Sequence, residues 1–148
     1  MARLSVEDRL DILDLFARYA RCVDAGDADG YADLFTGDGS FTRTNASPAG
    51  SGGSGLPPGG FVGSAALRQL VRDLAVLFRG LMRHQLTDVA IDAGSGPDEA
   101  TGTCYGLITD WREGQGRISM HCTYRTSLVR TAAGWRFRHM TIERLPAS

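Results

Sequence analysis

The sequence predicts an α+β protein in which the helices come first along the chain and the strands follow. Apolar residues in the first half recur at helical spacing, whereas the second half is rich in Thr, Val, Ile, Tyr and Trp between short Gly-containing turns. This order favours a cone-shaped α+β barrel, in which three helices pack in a curved, largely antiparallel sheet. The 148 residues, 43% of them hydrophobic, suit a single domain over 1–148 that can enclose a pocket.

The helices are predicted over Ser5 to about Ala25, Asp27 to Phe35 and Ser64 to Phe78. Ser5, Asp27 and Ser64 are the expected N-caps, and Gly26 separates the first two helices. The apolar stripe of the first helix is predicted to contain Val6, Leu10, Leu13, Phe16 or Ala17, and Ala20, widened by Ile12, Tyr19 and Val23.

A short strand is predicted at 40–43, followed by a loop at 45–60 with the sequence NASPAGSGGSGLPPGG. Its content of Gly, Ser and Pro predicts a flexible segment, which is either an inert linker or a lid over a site. Four long strands joined by hairpins are then predicted at 82–92, 100–112, 117–130 and 134–144. Gly102 and Gly106 would allow one of these strands to bend over the helices.

The composition excludes several classes of function. The net charge of −1 gives no basic footprint for nucleic acid, and no apolar run approaches the roughly 18 residues of a membrane span. All 16 basic residues are arginine, so Schiff-base and P-loop lysines are excluded. The first residues predict a helix and not a signal peptide, which favours a cytoplasmic location.

The cysteines and histidines give little indication of a metal or cofactor. Cys22, Cys104 and Cys122 are an odd number without a CxxC pair, so they are interpreted as small core residues. The three histidines belong to separate predicted strands and lack the local spacing of metal ligands. We therefore expect neither a metal nor a cofactor.

Asp24 and His84 form the candidate acid–base pair. Asp24 lies in the last turn of the first predicted helix, where the helix dipole disfavours a carboxylate, so it is either a solvated charge or a functional group. His84 begins the strand RHQLTDVAID on the same face as Leu86, and is either a core histidine or a catalyst. A carboxylate beside an imidazole fixes its tautomer and stabilises the imidazolium, which makes a strong general base.

The segments RLDILDLFARYARCVDAGDADGYADLFTGDGSF and RHQLTDVAI, with Tyr124 ahead of AAGWRF, resemble the SnoaL-like branch of the nuclear-transport-factor-2-like superfamily over nearly the whole chain. The resemblance implies the same cone of helices and curved sheet. In its scytalone dehydratases and hexachlorocyclohexane dehydrochlorinase, an aspartate and a histidine act together at positions that fall on Asp24 and His84. It implies a lyase of the dehydratase type, in which His84 removes a proton from carbon while a leaving group departs from a small hydrophobic or polycyclic substrate.

Five further residues are predicted to bind substrate: Tyr19, Phe41, Trp111, Tyr124 and His139. Tyr19 resembles pocket tyrosines of the dehydratases, and Tyr124 occupies a position recurrent in the family; each either meets substrate or packs in the core. Trp111 lies near a hairpin turn, at a pocket rim or in a dimer contact. His139 shares strand parity with the two aromatic residues of WRF, which predicts that it points into the pocket.

Many relatives form dimers, and the threonine-rich outer face of the later strands is compatible with a homodimer, which we expect. His121 has the opposite parity from Tyr124 and is predicted to lie at the surface or in an interface.

Other functions remain open on the sequence alone. A polyketide cyclase would begin with the same abstraction of an acidic C–H, and a ketosteroid-isomerase-like enzyme could use Asp88 or Asp110. An epoxide hydrolase is disfavoured because the only asparagine, Asn45, lies in the predicted loop. A non-catalytic ligand-binding protein and a small subunit of a dioxygenase are the alternatives of another class.

Overall fold

The computed structural model describes residues 3–44 and 59–145. Its helices are α1 (Val6–Ala25), α2 (Ala28–Ala32) and α3 (Ser64–Phe78). Its strands are β1 (Phe35–Thr44), β2 (Gly59–Val62), β3 (Met82–Ala93), β4 (Glu99–Asp110), β5 (Arg117–Thr131) and β6 (Gly134–Leu145). The α+β class and the four long strands are confirmed, and β2 is a strand that the sequence did not predict. The lid or linker predicted at 45–60 falls almost entirely outside the described residues.

The strands form one curved sheet in the order β2-β1-β6-β5-β4-β3. Every neighbouring pair is antiparallel except β1 and β6, which run parallel. The sheet does not close on itself, and its inner face packs on the buried faces of the helices to form the hydrophobic core. The predicted cone is therefore confirmed as an open one. No helix in the described part of the chain is long and apolar enough to cross a membrane.

Helix α1 buries only part of the predicted stripe: Ile12, Phe16, Tyr19 and Val23 are buried as predicted. Val6, Leu10 and Leu13 are 74%, 59% and 41% exposed, so their predicted burial is wrong. The buried side chains of α1 are Asp8, Ile12, Leu15, Phe16, Tyr19 and Val23. The helix has two overlapping apolar stripes, and the stripe with the aromatic rings removes more apolar area from water when it faces the sheet.

At the start of α1, the buried carboxylate of Asp8 connects the helix to the last two strands. It accepts hydrogen bonds from the Ser5 amide and the Trp135 indole, both at 3.0 Å, and pairs with Arg130 at 2.7 Å. Ser5 in turn caps the helix as predicted, because its hydroxyl accepts from the Asp8 amide. Hydrogen bonds from Arg130 and Trp135 hold the pKa of the Asp8 carboxyl well below its usual range.

A second buried carboxylate, Asp110, lies at the end of β4. Arg112 donates to both of its oxygens at 3.0 and 2.8 Å, and Arg117 donates at 3.3 Å. The guanidinium of Arg112 also lies over the Phe78 ring, 4.4 Å from its centroid. The hydrogen bonds from Arg112 lower the pKa of Asp110 well below its usual range, so this carboxyl stays ionised.

Acid is expected to destabilise the protein through these two carboxylates. Their pKa values are lower in the folded chain than in the unfolded chain, so they stabilise the fold above about pH 4 and lose this effect as the pH falls below it. An Asp8→Asn/Asp110→Asn variant should be less stable at pH 7, and its urea midpoint should change less between pH 7 and pH 3 than that of the wild type. As a control, Asp92→Asn changes an exposed carboxylate, so its urea midpoint should depend on pH as that of the wild type does. A double variant whose urea midpoint changes as much with pH as that of the wild type would contradict this assignment.

The predicted core positions of two cysteines are confirmed. Cys104 and Cys122 are buried, and burial raises the pKa of both thiols to about 12, so neither ionises near neutral pH. Cys22 is only partly buried.

Candidate active site

The structure brings Asp24 and His84 together. Gly26 ends α1 with a left-handed backbone (φ 71°), and Asp24 lies in the last turn before it. The His84 amide, near the start of β3, donates to Asp24 Oδ2 at 2.9 Å, and His84 Nδ1 lies 2.7 Å from Asp24 Oδ1. The carboxylate at this unfavourable helix end is therefore held by the backbone and the side chain of one histidine.

The contact defines the tautomer of neutral His84. An ionised Asp24 only accepts hydrogen bonds, so Nδ1 carries the proton and Nε2 carries the lone pair. The side chains of Asp24 and His84 are 13% and 9% exposed, and the Tyr19 ring lies nearly perpendicular to the imidazole at 6.3 Å between centroids. Because Nδ1 faces Asp24, Nε2 is the nitrogen left for a ligand. His84 lines the cavity between helices and sheet and also two open clefts on the surface, one of which it shares with Asp24.

The cavity lies between the helices and the inner face of the sheet. Its volume is about 40 Å³, and part of it opens to solvent. Most of its wall consists of aliphatic and aromatic side chains, among them the predicted Phe41. Its polar or charged lining residues are Tyr19, Tyr31, Arg43, His84, Ser119 and Tyr124. An apolar cavity with a few converging polar groups is typical of a small-molecule site.

The three tyrosines of the cavity form one cluster. The Tyr19 ring lies 5.3 Å from that of Tyr31 and 5.6 Å from that of Tyr124, and all three are buried. Burial raises their pKa values well above the usual 10, so the hydroxyls stay protonated. The Tyr124 hydroxyl has no hydrogen-bond partner of suitable geometry among the described residues, which leaves it able to bind a substrate oxygen.

Glycine at position 106 makes room for the Tyr124 ring. A Cβ added to Gly106 would overlap that ring and lie 3.0 Å from Cys122 Sγ. Glycine is also needed at position 102 of the same strand, because a Cβ added there would lie 2.9 Å from the Phe16 ring. These glycines allow two aromatic rings to approach the backbone of β4 closely.

Trp111 and His139 do not line the cavity between helices and sheet, but Trp111 lines an open cleft on the surface together with His84, so its predicted place at a pocket rim stays a prediction. Trp111 is 48% exposed beyond the end of β4, where its indole donates to Thr109 Oγ1 at 3.0 Å. His139 is exposed on the outer face, and its Nδ1 lies 2.8 Å from Ser40 Oγ. The prediction for His139 is wrong because a β-bulge between Phe137 and His139 inserts one residue and reverses the strand parity.

Sequence reasoning missed Arg43 and Tyr31 as cavity residues. Arg43 shares strand parity with Phe41 on β1, so alternation from a recognisably apolar residue could have placed it inside. Burial lowers the pKa of its guanidinium, which nevertheless remains charged at neutral pH. Tyr31 was predicted only as a buried residue of the second helix.

Asp88 and Asp110 do not line the cavity. Asp88 is exposed at an irregularity of β3, where its φ is 56°, and Asp110 is held by its arginines. His121 is exposed on the outer face, as predicted, 6.0 Å from the Tyr105 ring.

Fold and site together define a small α+β cone with an apolar cavity, whose wall includes His84, the partner of Asp24. The family model of the SnoaL-like domain matches residues 4–141, and the chain belongs to this family. The family resemblance predicted from the sequence is therefore confirmed. No curated protein matches the chain significantly.

Solved structures agree with this assignment. An NTF2-like protein with a cystatin-like fold from Novosphingobium aromaticivorans is 26% identical, with a TM-score of 0.79 over 97% of this chain and 85% of its own. A protein from Catenulispora acidiphila, in complex with S-DNPA, is 25% identical, with a TM-score of 0.70 over 95% of each chain. ActVI-ORFA from Streptomyces coelicolor, 22% identical with a TM-score of 0.73 over 93% of this chain and 97% of its own, shares the fold.

Proposed function

We propose that the protein is a cofactor-independent lyase of the dehydratase type that acts on a small apolar molecule in the cavity. One observation carries the proposal: His84 lies at the cavity wall with its Nδ1 2.7 Å from Asp24 Oδ1. This contact orients the ring, leaves Nε2 as a base toward the cavity, and stabilises the positive charge that the ring gains when it accepts a proton.

In the proposed reaction, His84 Nε2 takes a proton from a carbon next to a substrate carbonyl. The electron pair of the broken C–H bond forms the carbon–carbon double bond, and the bond to a hydroxyl on the adjacent carbon breaks. The imidazolium returns its proton to the departing oxygen, so that water leaves and His84 becomes neutral again. Asp24 remains ionised throughout and acts as the positioning residue for His84.

The carbonyl oxygen gains negative charge when the C–H bond breaks, and the Tyr124 hydroxyl is the group proposed to stabilise it. It is buried and protonated. The nearby Tyr19 hydroxyl can only donate toward its oxygen, and no hydrogen bond of good geometry satisfies it among the described residues, so a substrate oxygen could accept from it. A hydrogen-bond donor already positioned in an apolar cavity stabilises such charge with little reorganisation.

Two alternative enzymes fit the site less well. A cyclase of this fold would need an acid and a histidine of the later strands in the cavity, but His121 and His139 lie on the outer face. A ketosteroid-isomerase-like enzyme would need a protonated aspartate, but Arg112 and Arg117 keep the Asp110 carboxyl ionised. The complex of the Catenulispora relative with S-DNPA supports a small molecule as the ligand of this fold.

Two further proposals concern the assembly and location of the chain. We expect a homodimer formed through the outer face of the sheet, where Tyr105 and Ile118 are 50% and 68% exposed. The cytoplasmic location also stays a prediction.

Turnover of a bicyclic β-hydroxyketone of the hydroxytetralone type tests the proposed function. This compound loses water to give a naphthol, which is followed by its absorbance. The proposed lyase accelerates the loss of water above the buffer rate, whereas a ligand-binding protein or a dioxygenase small subunit would bind the compound without turnover. Binding without acceleration would contradict the proposal.

A further inference from the structure

A β-bulge in β5 turns the Ser119 side chain into the cavity. The register with β4 leaves Ser119 as an extra residue between Ile118 and Met120, without a partner of its own. Ile118 is exposed on the outer face, whereas Ser119 and Met120 both line the cavity. Since a regular strand turns successive side chains to opposite faces, the bulge accounts for two neighbours on one wall. It thereby adds a hydroxyl to a largely apolar wall.

The hydroxyl of Ser119 is available to a ligand. Ser119 is half-buried, whereas most residues of the wall are buried, so its side chain lies toward the opening of the cavity. It makes no hydrogen bond to another residue of the described part of the chain. A hydroxyl both donates and accepts hydrogen bonds and carries no charge, so it suits a neutral oxygen of a ligand.

Ser119 lies two strands away from His84 across the inner face of the sheet. His84 on β3 is paired with Ile108 on β4, and Ile108 is paired with Met120 on β5, so the three residues form one row. Ser119 comes directly before Met120 and lines the same cavity. At about 4.8 Å per strand spacing, the backbones of β3 and β5 are about 10 Å apart. A ligand whose reacting carbon faces His84 therefore reaches Ser119 with its far end.

The Tyr124 hydroxyl serves the group near His84 and not this far end. The Tyr124 ring leans over Gly106, which lies two residues closer to the row of His84 than the β4 partner of Tyr124 does. The Tyr19 ring is a neighbour of both groups, at 5.6 Å from the Tyr124 ring and 6.3 Å from the imidazole. The substrate carbonyl and the far end of the molecule thus have different hydrogen-bond partners.

We propose that Ser119 is a specificity-determining residue, whose hydroxyl binds a phenolic hydroxyl on the far ring of a two-ring ketone substrate. This assignment rests on the proposed function, because it takes the cavity to be the substrate site. The cavity of about 40 Å³ admits a ring only when its wall gives way, and Met120 beside Ser119 is the unbranched, adaptable side chain at that end. Binding energy from the far ring would orient the reacting carbon toward His84.

Two ketones that cannot lose water test this assignment by calorimetry: tetralone, and a tetralone with a phenolic hydroxyl on its aromatic ring. The wild type is expected to bind the phenolic tetralone about 2–10-fold more tightly, as for one neutral hydrogen bond. Ser119→Ala should abolish this preference. Ser127→Ala removes a half-buried hydroxyl from the outer face of the same strand and should retain it.

Tyr124→Phe should weaken the binding of both ketones alike and keep their ratio, because its hydroxyl is assigned to the carbonyl that they share. If Ser119→Ala fails to fold, Ser119→Cys replaces the hydroxyl by a weakly hydrogen-bonding thiol and should lose most of the preference. Equal affinity of the wild type for both ketones, a preference that survives in Ser119→Ala, or an equal loss in both alanine variants would overturn the assignment.

The assignment of Ser119 can fail separately from the proposed function. His84→Gln should keep the preference for the phenolic tetralone, because His84 does not contact the far ring. A preference that depends on Ser119 in a protein without turnover would contradict the lyase alone. Turnover without such a preference would overturn the role of Ser119 alone.

Discussion

Replacement of His84 by alanine is expected to lower kcat for loss of water from the hydroxytetralone about 10²–10⁴-fold, which is the usual contribution of a general acid–base group. His84 is the only one of the three histidines that lines the cavity, so no other imidazole can take over the proton. The rate is measured by naphthol absorbance under saturating substrate. The dissociation constant of the same compound should change only a few-fold, because the apolar wall and Tyr124 remain.

His121→Ala is the matched control for this variant. His121 is exposed on the outer face of β5 and should be replaced without loss of turnover. Equal rates in His84→Ala and the wild type would remove His84 from the chemistry. A loss of binding and turnover together would show that His84 holds the ligand and is not its base.

Replacement of Asp24 by asparagine is expected to lower kcat about 10²-fold or more while the protein remains folded. The amide oxygen of asparagine can still accept from the His84 backbone N–H, so the link between α1 and β3 is kept. The neutral amide cannot stabilise the imidazolium, and it no longer requires the proton to be on Nδ1. The kcat of Asp24→Asn and its pH dependence measure this effect.

Asp14→Asn is the control for Asp24→Asn, because Asp14 is an exposed carboxylate of the same helix, paired with Arg18. It should leave both kcat and its pH profile unchanged. If Asp24→Asn keeps the wild-type kcat and pH profile, the Asp24 contact only joins α1 to β3 and has no part in proton transfer.

The positions of Asp24 and His84 could be predicted because each residue lies at the end of a long, clear element. Helical periodicity put Asp24 at the end of the first helix, and alternation put His84 on the inner face of a strand. Their approach across 60 residues of sequence could not be derived from spacing, and only the family resemblance indicated it. The hydrogen bond from the His84 amide was not predicted, since it depends on how the two ends meet in space.

Strand parity failed where the sheet is irregular. His139 was placed inside from the parity of the aromatic residues before it, but the bulge beyond Phe137 turned it outward. The predicted strand at 40–43 began too late, because β1 starts at Phe35 and its pairing with β6 is irregular between Phe35 and Ser40. A single sequence gives no sign of either irregularity, since bulges depend on partner strands.

Helix α1 shows a second limit of prediction from a single sequence. Its sequence has apolar residues on two overlapping faces, and periodicity alone could not decide between them. The fold buries the face with Phe16 and Tyr19, whose rings pack against Phe137 of the sheet. That choice places Tyr19 in the cavity, beside His84.

Hydrogen–deuterium exchange of a bound ketone tests most directly whether His84 removes a proton from carbon. Tetralone, which lacks the hydroxyl and cannot lose water, is incubated with the protein in D2O, and the signal of its C–H next to the carbonyl is followed by NMR. Exchange with the wild type and with His121→Gln should be about 10²–10⁴-fold faster than with His84→Gln. Exchange that is equally fast with His84→Gln, or no faster with the wild type than in buffer, would contradict the assignment of His84 as the base.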